Sequence, residues 1–204
     1  MKANLYIVGG GGHCTSCIDV VEQEGRYSIK GIIDTPDKLG KTLLGYSYSA
    51  TDEDLPNLCR TGGDFLIGVG QIMSSQTRFV LFNKLKSLGG QFARIISPFS
   101  VVSPHARLGE GCIVMHGAVV NAGAVIGKNC IINTGAIIEH HSHIGSHFHI
   151  STNAVLNGDT RVADHCFIGS SAMVIQGVEI GEQTVVGAGN SVFKDLPPHT
   201  ILKG

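Results

Sequence analysis

The chain has 204 residues, of which 43% are hydrophobic and 15% charged, with a formal net charge of -1, 28 glycines and no tryptophan. Those values describe a globular protein of one large domain or two modest ones, and the lack of any Lys/Arg cluster excludes a nucleic-acid surface. The apolar run Leu5 to Val8 is too short for a signal sequence or a membrane span, so a cytoplasmic protein without membrane contact is expected.

Asn4 to Val8 reads as a buried strand that runs directly into Gly9, Gly10, Gly11 and Gly12. From His13 to Glu24, Cys14, Cys17, Ile18 and Val21 fall on one face and Asp19, Glu22 and Glu24 on the other, which predicts a helix. A second strand, Ser28 to Ile33, ends on Asp34. Strand, glycine turn, helix, strand and acid is the plan of a mononucleotide-binding half, in which glycines admit a phosphate to the backbone N–H groups at the helix start. The dinucleotide pattern G-x-G-x-x-G is broken at Cys14, so a tight turn without a ligand stays open beside phosphate binding. Cys14 and Cys17 form a CxxC with no second pair to complete a zinc site and read as core packing.

Next come a weak strand near Leu44 to Tyr48, a short helix near Asp52 to Leu58, and a buried strand from Phe65 to Gly70. Ser75 to Leu88 carries Phe79, Phe82, Leu85 and Leu88 at helical spacing, and Phe92 to Ile96 reads as one more strand. Ser97 and Pro98 divide the chain into residues 1–97 and 98–204, and the first part is too short for both halves of a dinucleotide fold.

An aliphatic residue stands at Val102, Leu108, Val114 and every sixth position to Val192, and four residues after each the chain usually places Ala, Cys, Ser, Thr or Val. No helix or ordinary strand has this period, so each hexad is one unit of a coil. If three hexads make a turn, residues eighteen apart stack, placing Cys112 under Cys130 and His147 under His165, with turns rising roughly 4.8 Å. Cys112, Cys130 and Cys166 take the small inward slot. The coil is expected to stop at Pro197 and Pro198.

Five of the ten histidines, His140, His141, His143, His147 and His149, crowd into one short stretch of the coil. His140, His141 and His149 avoid the inward slots, which predicts accessible side chains. Three readings compete: a neutral imidazole acting as general base in acyl transfer, a metal site, or polar decoration of a turn.

The hexads resemble the left-handed β-helix of hexapeptide-repeat acyltransferases. Gly9 to His13, the Ile-Ile-Asp34 strand end, Phe65 to Gly70 and the run Asn133 to His140 are more specifically similar to nucleotide-sugar acetyltransferases of the bacillosamine and perosamine pathways, with their sialic-acid O-acetylating relatives. The resemblance covers essentially the whole chain. It implies an α/β Rossmann-like domain that holds a UDP-sugar, followed by an all-β left-handed parallel β-helix, with acetyl-CoA lying along the coil between two subunits of a homotrimer and no metal. Residue by residue it implies His140 as base, Gly158 N–H at the thioester oxygen, and Gly11, Gly12, His13, Asp34, Thr35 and Gly70 around the nucleotide sugar. Asn133, His149, Ser170, Gly187 and Ala188 match positions that meet acetyl-CoA.

Three departures accompany it. His141 stands where the family often has an acid beside the base, and a second imidazole orients its neighbour without offering a formal charge. Thr35 stands where a second acid often follows the one matching Asp34. Where relatives often carry a Pro-Ala-basic tail, Lys194 and Lys203 are the cations that remain for the adenosine end of CoA. The expected activity is acetyl transfer from acetyl-CoA to the amino group of a UDP-4-amino-4,6-dideoxy sugar. The alternatives are sugar O-acetylation, a non-catalytic metal-binding coil, and a nicotinamide oxidoreductase, the last weakened by the broken fingerprint.

Overall fold

A computed structural model describes residues 2–203. Its first elements are β1 (Ala3–Val8), α1 (Gly12–Glu24), β2 (Tyr27–Ile33), β3 (Thr42–Leu43), β4 (Tyr46–Ala50), α2 (Leu55–Thr61), β5 (Asp64–Ile67), α3 (Gln76–Ser87) and β6 (Gln91–Phe92). The strands form one sheet in the order β3-β4-β2-β1-β5-β6, parallel throughout except for the β3–β4 pair. The chain lays β2 on one side of β1 and β5 on the other, so the strand order reverses at β1 and opens a crevice at the carboxyl ends.

Four details differ from the sequence reading. Leu44 and Gly45 are the turn of the β3–β4 hairpin, with φ of 50° and 84°, instead of the start of a strand; two left-handed residues match the twist of the flanking strands. The short helix begins at Leu55, with Pro56 in its first turn, instead of at Asp52. The Phe65 strand ends at Ile67, because Gly68 is pressed against the Gly9 carbonyl and leaves the sheet. The expected strand Phe92–Ile96 splits: Gln91–Phe92 closes the first sheet, while Ile95–Ile96 is already the first strand of the coil.

From Ile95 on, each strand is a pair of residues hydrogen-bonded to the pair eighteen positions later, as in Ile113 with Ile131, Ile137 with Val155 and His143 with Arg161. Three parallel sheets of seven, six and five strands result, the flat sides of a left-handed parallel β-helix. The aliphatic and small slots fill its interior: Val114, Ala118, Ile132, Ala136, Ile138 and Ala154 are all inaccessible to solvent. His147 stacks on His165 with ring centroids 5.1 Å apart, as the eighteen-residue spacing requires. Cys112, Cys130 and Cys166 are buried, as are Cys14 and Cys17; burial holds the Cys14 thiol up at about 12, well out of nucleophilic range. The coil does not stop at Pro198, since Ile201–Leu202 pairs with Val185–Val186 in a last turn two residues shorter than the others.

The corners explain a pattern that the sequence reading left out. Every sixth residue from Gly111 to Gly189 has a positive φ; glycine fills many of these positions, and Asn129, His141, His147, Asn153, Asp159, His165, Ser171 and Gln183 fill the rest. Asn, Asp and His tolerate the left-handed region better than most side chains. A corner histidine is therefore partly a consequence of backbone geometry.

A second core cluster joins the two parts of the chain. Cys14, Cys17, Ile18 and Val21 of α1 pack with Ile95, Ile113 and Ile131, which point outward from one side of the coil. The glycine turn that begins α1 is thereby held over that side.

Candidate functional site

Two cavities flank the glycine turn. The first, of about 450 Å³, lies at the carboxyl ends of β1, β2, β4 and β5 and is lined by Gly9, Asp34, Thr35, Thr51, Asp52 and Val69 with residues of α3. The turn is tightly built. Tyr48 donates its hydroxyl proton to the Gly10 carbonyl at 2.6 Å, and any side chain on Gly10 would collide with the Tyr48 ring. Gly11 caps α1 without a side-chain hydrogen bond, and nothing lies within 4 Å of the Cβ positions of Gly11 and Gly12. The N–H groups of Gly12 and His13, the first two of a thirteen-residue helix, make no hydrogen bond among the described residues, an arrangement suited to an anion.

Asp34 does not wait for a ligand alone. Its carboxylate accepts from Gly10 N–H at 2.6 Å, Thr35 N–H at 2.7 Å and Lys38 Nζ at 2.9 Å. Burial raises its pKa, and the Lys38 ammonium with the Thr35 and Gly10 N–H groups more than reverses this, so the net shift is downward.

The second cavity, of about 510 Å³, lies between the glycine turn and the coil. His13, Gly70, Asn133, His149, Ser170, Gly187 and Ala188 line it, together with Gln71, Ser151 and Phe167. Positions that the sequence reading divided between sugar and coenzyme therefore share one wall. His149 is buried at 5% exposure, contrary to the accessible side chain expected of it, and His147 is buried at 7%; the first-domain segment Gln71–Phe82 covers both. His149 donates Nδ1–H to the Gln71 carbonyl at 2.6 Å and accepts from Asn133 Nδ2 at 3.0 Å through Nε2. That network fixes the neutral tautomer, and burial holds the pKa down at about 4. His13 is held at about 3 by burial, with Arg78 and His149 adding to the effect. Neither imidazole is available as a base near neutrality.

His140, His141 and Gly158 form a third group outside both cavities. His140 and His141 are exposed, with their Nδ1 atoms 3.2 Å apart. The His140 ring lies over Gly158, where an added Cβ would come within 2.5 Å of Cε1. The N–H of Gly158 makes no hydrogen bond among the described residues. Within one chain, then, the candidate base stands apart from the wall that carries Asn133 and His149.

Sequence reasoning missed Gln71, Ser151, Phe167 and Arg78. Phe167 follows His149 by eighteen residues and was findable from the stacking rule. Gln71 and Arg78 carry no periodic signal.

The geometry agrees with what the chain is similar to. Residues 4–85 match the PglD N-terminal domain, and residues 160–194 match the hexapeptide repeat of succinyl-transferase. PerB from Caulobacter crescentus, solved in complex with CoA and GDP-perosamine, is 35% identical, with a TM-score of 0.90 over 98% of this chain and 94% of that one. A perosamine N-acetyltransferase variant from the same organism, with one histidine replaced by asparagine, also holds CoA and GDP-perosamine; it is 34% identical, with a TM-score of 0.91 over 100% of this chain and 95% of its own. The acetyltransferase domain of PglB from Neisseria gonorrhoeae, solved in complex with acetyl coenzyme A, is 29% identical, with a TM-score of 0.92 over 100% of this chain and 97% of that one. No curated protein sequence matches the chain. With hexads, glycine turn and both cavities in place, the chain belongs to the hexapeptide-repeat nucleotide-sugar N-acetyltransferases, enzymes that take their acetyl group from acetyl-CoA.

Proposed function

We propose that the protein transfers acetyl from acetyl-CoA to the 4-amino group of a UDP-4-amino-4,6-dideoxy sugar. The observation that carries this reading is the single wall that joins His13 and Gly70 to Asn133, His149, Ser170 and Ala188, since a transferase must bring acceptor and donor together. Residues 1–97 hold the nucleotide sugar, the diphosphate meeting Gly11, Gly12 and His13 and the nucleoside lying toward Asp34 and Thr35. Residues 98–204 hold acetyl-CoA along the coil.

His140 acts as general base, taking a proton from the amine as it attacks the thioester. With Nδ1–H donated to His141 Nδ1, His140 keeps a free lone pair on Nε2. His141 orients the base, in place of the acid found in relatives. The N–H of Gly158 meets the developing oxyanion, and the imidazolium returns its proton to the leaving thiolate. Because His140 stands apart from the cavity in one chain, the reading includes a homotrimer in which one subunit's coil supplies His140 to its neighbour's cavity. It also includes action in the cytoplasm; no described helix is long and apolar enough to cross a membrane.

A second reading, a GDP-linked 4-amino sugar, draws support from the 35% identity to PerB. Incubation with acetyl-CoA and UDP- or GDP-linked 4-amino sugars tests both. A mass gain of one acetyl group on nitrogen of the UDP sugar is expected; acetylation confined to the GDP sugar selects the second reading, and acetylation on oxygen alone sinks both.

A further inference from the structure

Arg78, on the first turn of α3, is 1% exposed, yet no carboxylate among the described residues lies within ion-pair distance of it. Its guanidinium donates from Nη1 to the carbonyls of Ile67 at 2.8 Å and Val69 at 2.7 Å. Nη2 donates to the Asn129 carbonyl at 3.2 Å and to Asn129 Oδ1 at 2.6 Å, and Nε has no partner. The other ionisable groups close to it are the neutral imidazoles of His13, His147 and His149 and three thiols: burial keeps Cys17 and Cys130 neutral, and Cys112, whose pKa the Cys130 thiol and more weakly Arg78 lower, donates its Sγ–H to the Gly127 carbonyl at 3.0 Å.

A buried cation met only by neutral oxygens is costly. The four hydrogen bonds tie β5 to the coil corner, but none of their acceptors carries a charge, so the charge itself calls for an account. Val69, whose carbonyl Arg78 holds, lines the 450 Å³ cavity and packs on Gly9 of the glycine turn. His13, at the other end of that turn, has its pKa lowered first by burial and then by the Arg78 charge, and the start of α1 lies between the two. Field and helix terminus have the same sign, and the one carboxylate on the turn, Asp34 at Gly10 N–H, is itself paired with Lys38.

We propose that Arg78 is a specificity residue for the diphosphate of the nucleotide sugar, whose negative charge completes a cation that the protein leaves uncompensated. The role rests on the nucleotide-sugar reading above. It acts through space, without direct contact, by making the glycine turn selective for an anion.

Two substitutions at Asn129 separate charge from packing. Asn129→Asp keeps the Oδ1 acceptor, loses the Nδ2 donor and sets a carboxylate that cancels the guanidinium charge; Asn129→Gly removes the whole amide, suits the left-handed corner, and leaves the charge. Binding of UDP and GDP, of uridine and guanosine, and of CoA is measured by calorimetry on the intact protein. Relative to Asn129→Gly, Asn129→Asp is expected to bind UDP or GDP about fivefold to tenfold more weakly, with nucleoside and CoA affinities unchanged and with less dependence on salt. Equal diphosphate affinity in the two variants overturns the role of Arg78, as does a loss confined to CoA. If the unmodified protein binds neither diphosphate, the nucleotide-sugar reading falls as well, which distinguishes the two failures.

Discussion

The imidazole of His140 lies across Gly158 so closely that a methyl group there would approach Cε1 to 2.5 Å. The two residues belong to neighbouring turns of the coil, and the Asp159 N–H donates to the His140 carbonyl at 3.0 Å, fixing their separation. Gly158→Ala therefore has to displace the ring and cover the N–H assigned to the oxyanion. Turnover is expected to fall by about a hundredfold, in line with loss of one oxyanion donor, while CoA still binds. Near-normal kcat would remove Gly158 from the site.

His140→Ala is expected to lower kcat by about two to four orders of magnitude with both ligands still bound, the range for a positioned general base. Steady-state kinetics beside calorimetric titration of CoA and nucleotide sugar check this. Unchanged kcat sinks the assignment.

His141→Glu tests what replaces the missing acid. A carboxylate beside the imidazole favours the imidazolium, so the acidic limb of the kcat/KM profile should move to higher pH. An unmoved limb would mean that His140 needs nothing charged beside it.

The proposed homotrimer, with each site shared between two subunits, predicts complementation. A chain with His140→Ala keeps its cavity, and one with Gly70→Trp, which fills the space beside His13, keeps its base. Each alone is expected to be inactive, while mixed trimers recover about a quarter of the activity, because one site in four pairs an intact cavity with an intact neighbour. No recovery after mixing and reassembly would place the whole site in one subunit.

Stability should depend on acid. His13 and His149 are held at about 3 and about 4 in the fold, below the ordinary imidazole value of about 6.5. The folded pKa is depressed, so the unfolded chain binds protons first; the stabilisation is complete above about pH 6.5 and is lost as pH falls toward 4 and then 3. Urea midpoints measured across that range should drop. His149→Gln, which can still donate to the Gln71 carbonyl, should flatten the decline; a decline of the same steepness would count against His149 as a source.

The sequence by itself determined the coil, though not its hand, because a six-residue period of aliphatic and small side chains stacks hexads around one interior, and with three hexads to a turn residues eighteen apart meet. The same rule foretold His147 on His165. It also determined the glycine turn, since four glycines between a buried strand and an amphipathic helix mark one; that Gly9 and Gly10 must lack a Cβ to fit against Val69 and Tyr48 came from the structure. What it left undecided depends on contacts between segments far apart in the chain. The Gln71–Phe82 segment buries His147 and His149, turning His149 from an expected surface histidine into a neutral, hydrogen-bonded wall. Local periodicity registers which way a side chain points from its own strand, and carries no information about what later covers it. Arg78 is the clearest case: from sequence it is a polar residue on an amphipathic helix, and only the docking of α3 on the coil corner at Asn129 makes it a buried cation. The separation of His140 from the cavity is likewise a fact of three dimensions, because the turn of the coil sends neighbouring hexads to different sides.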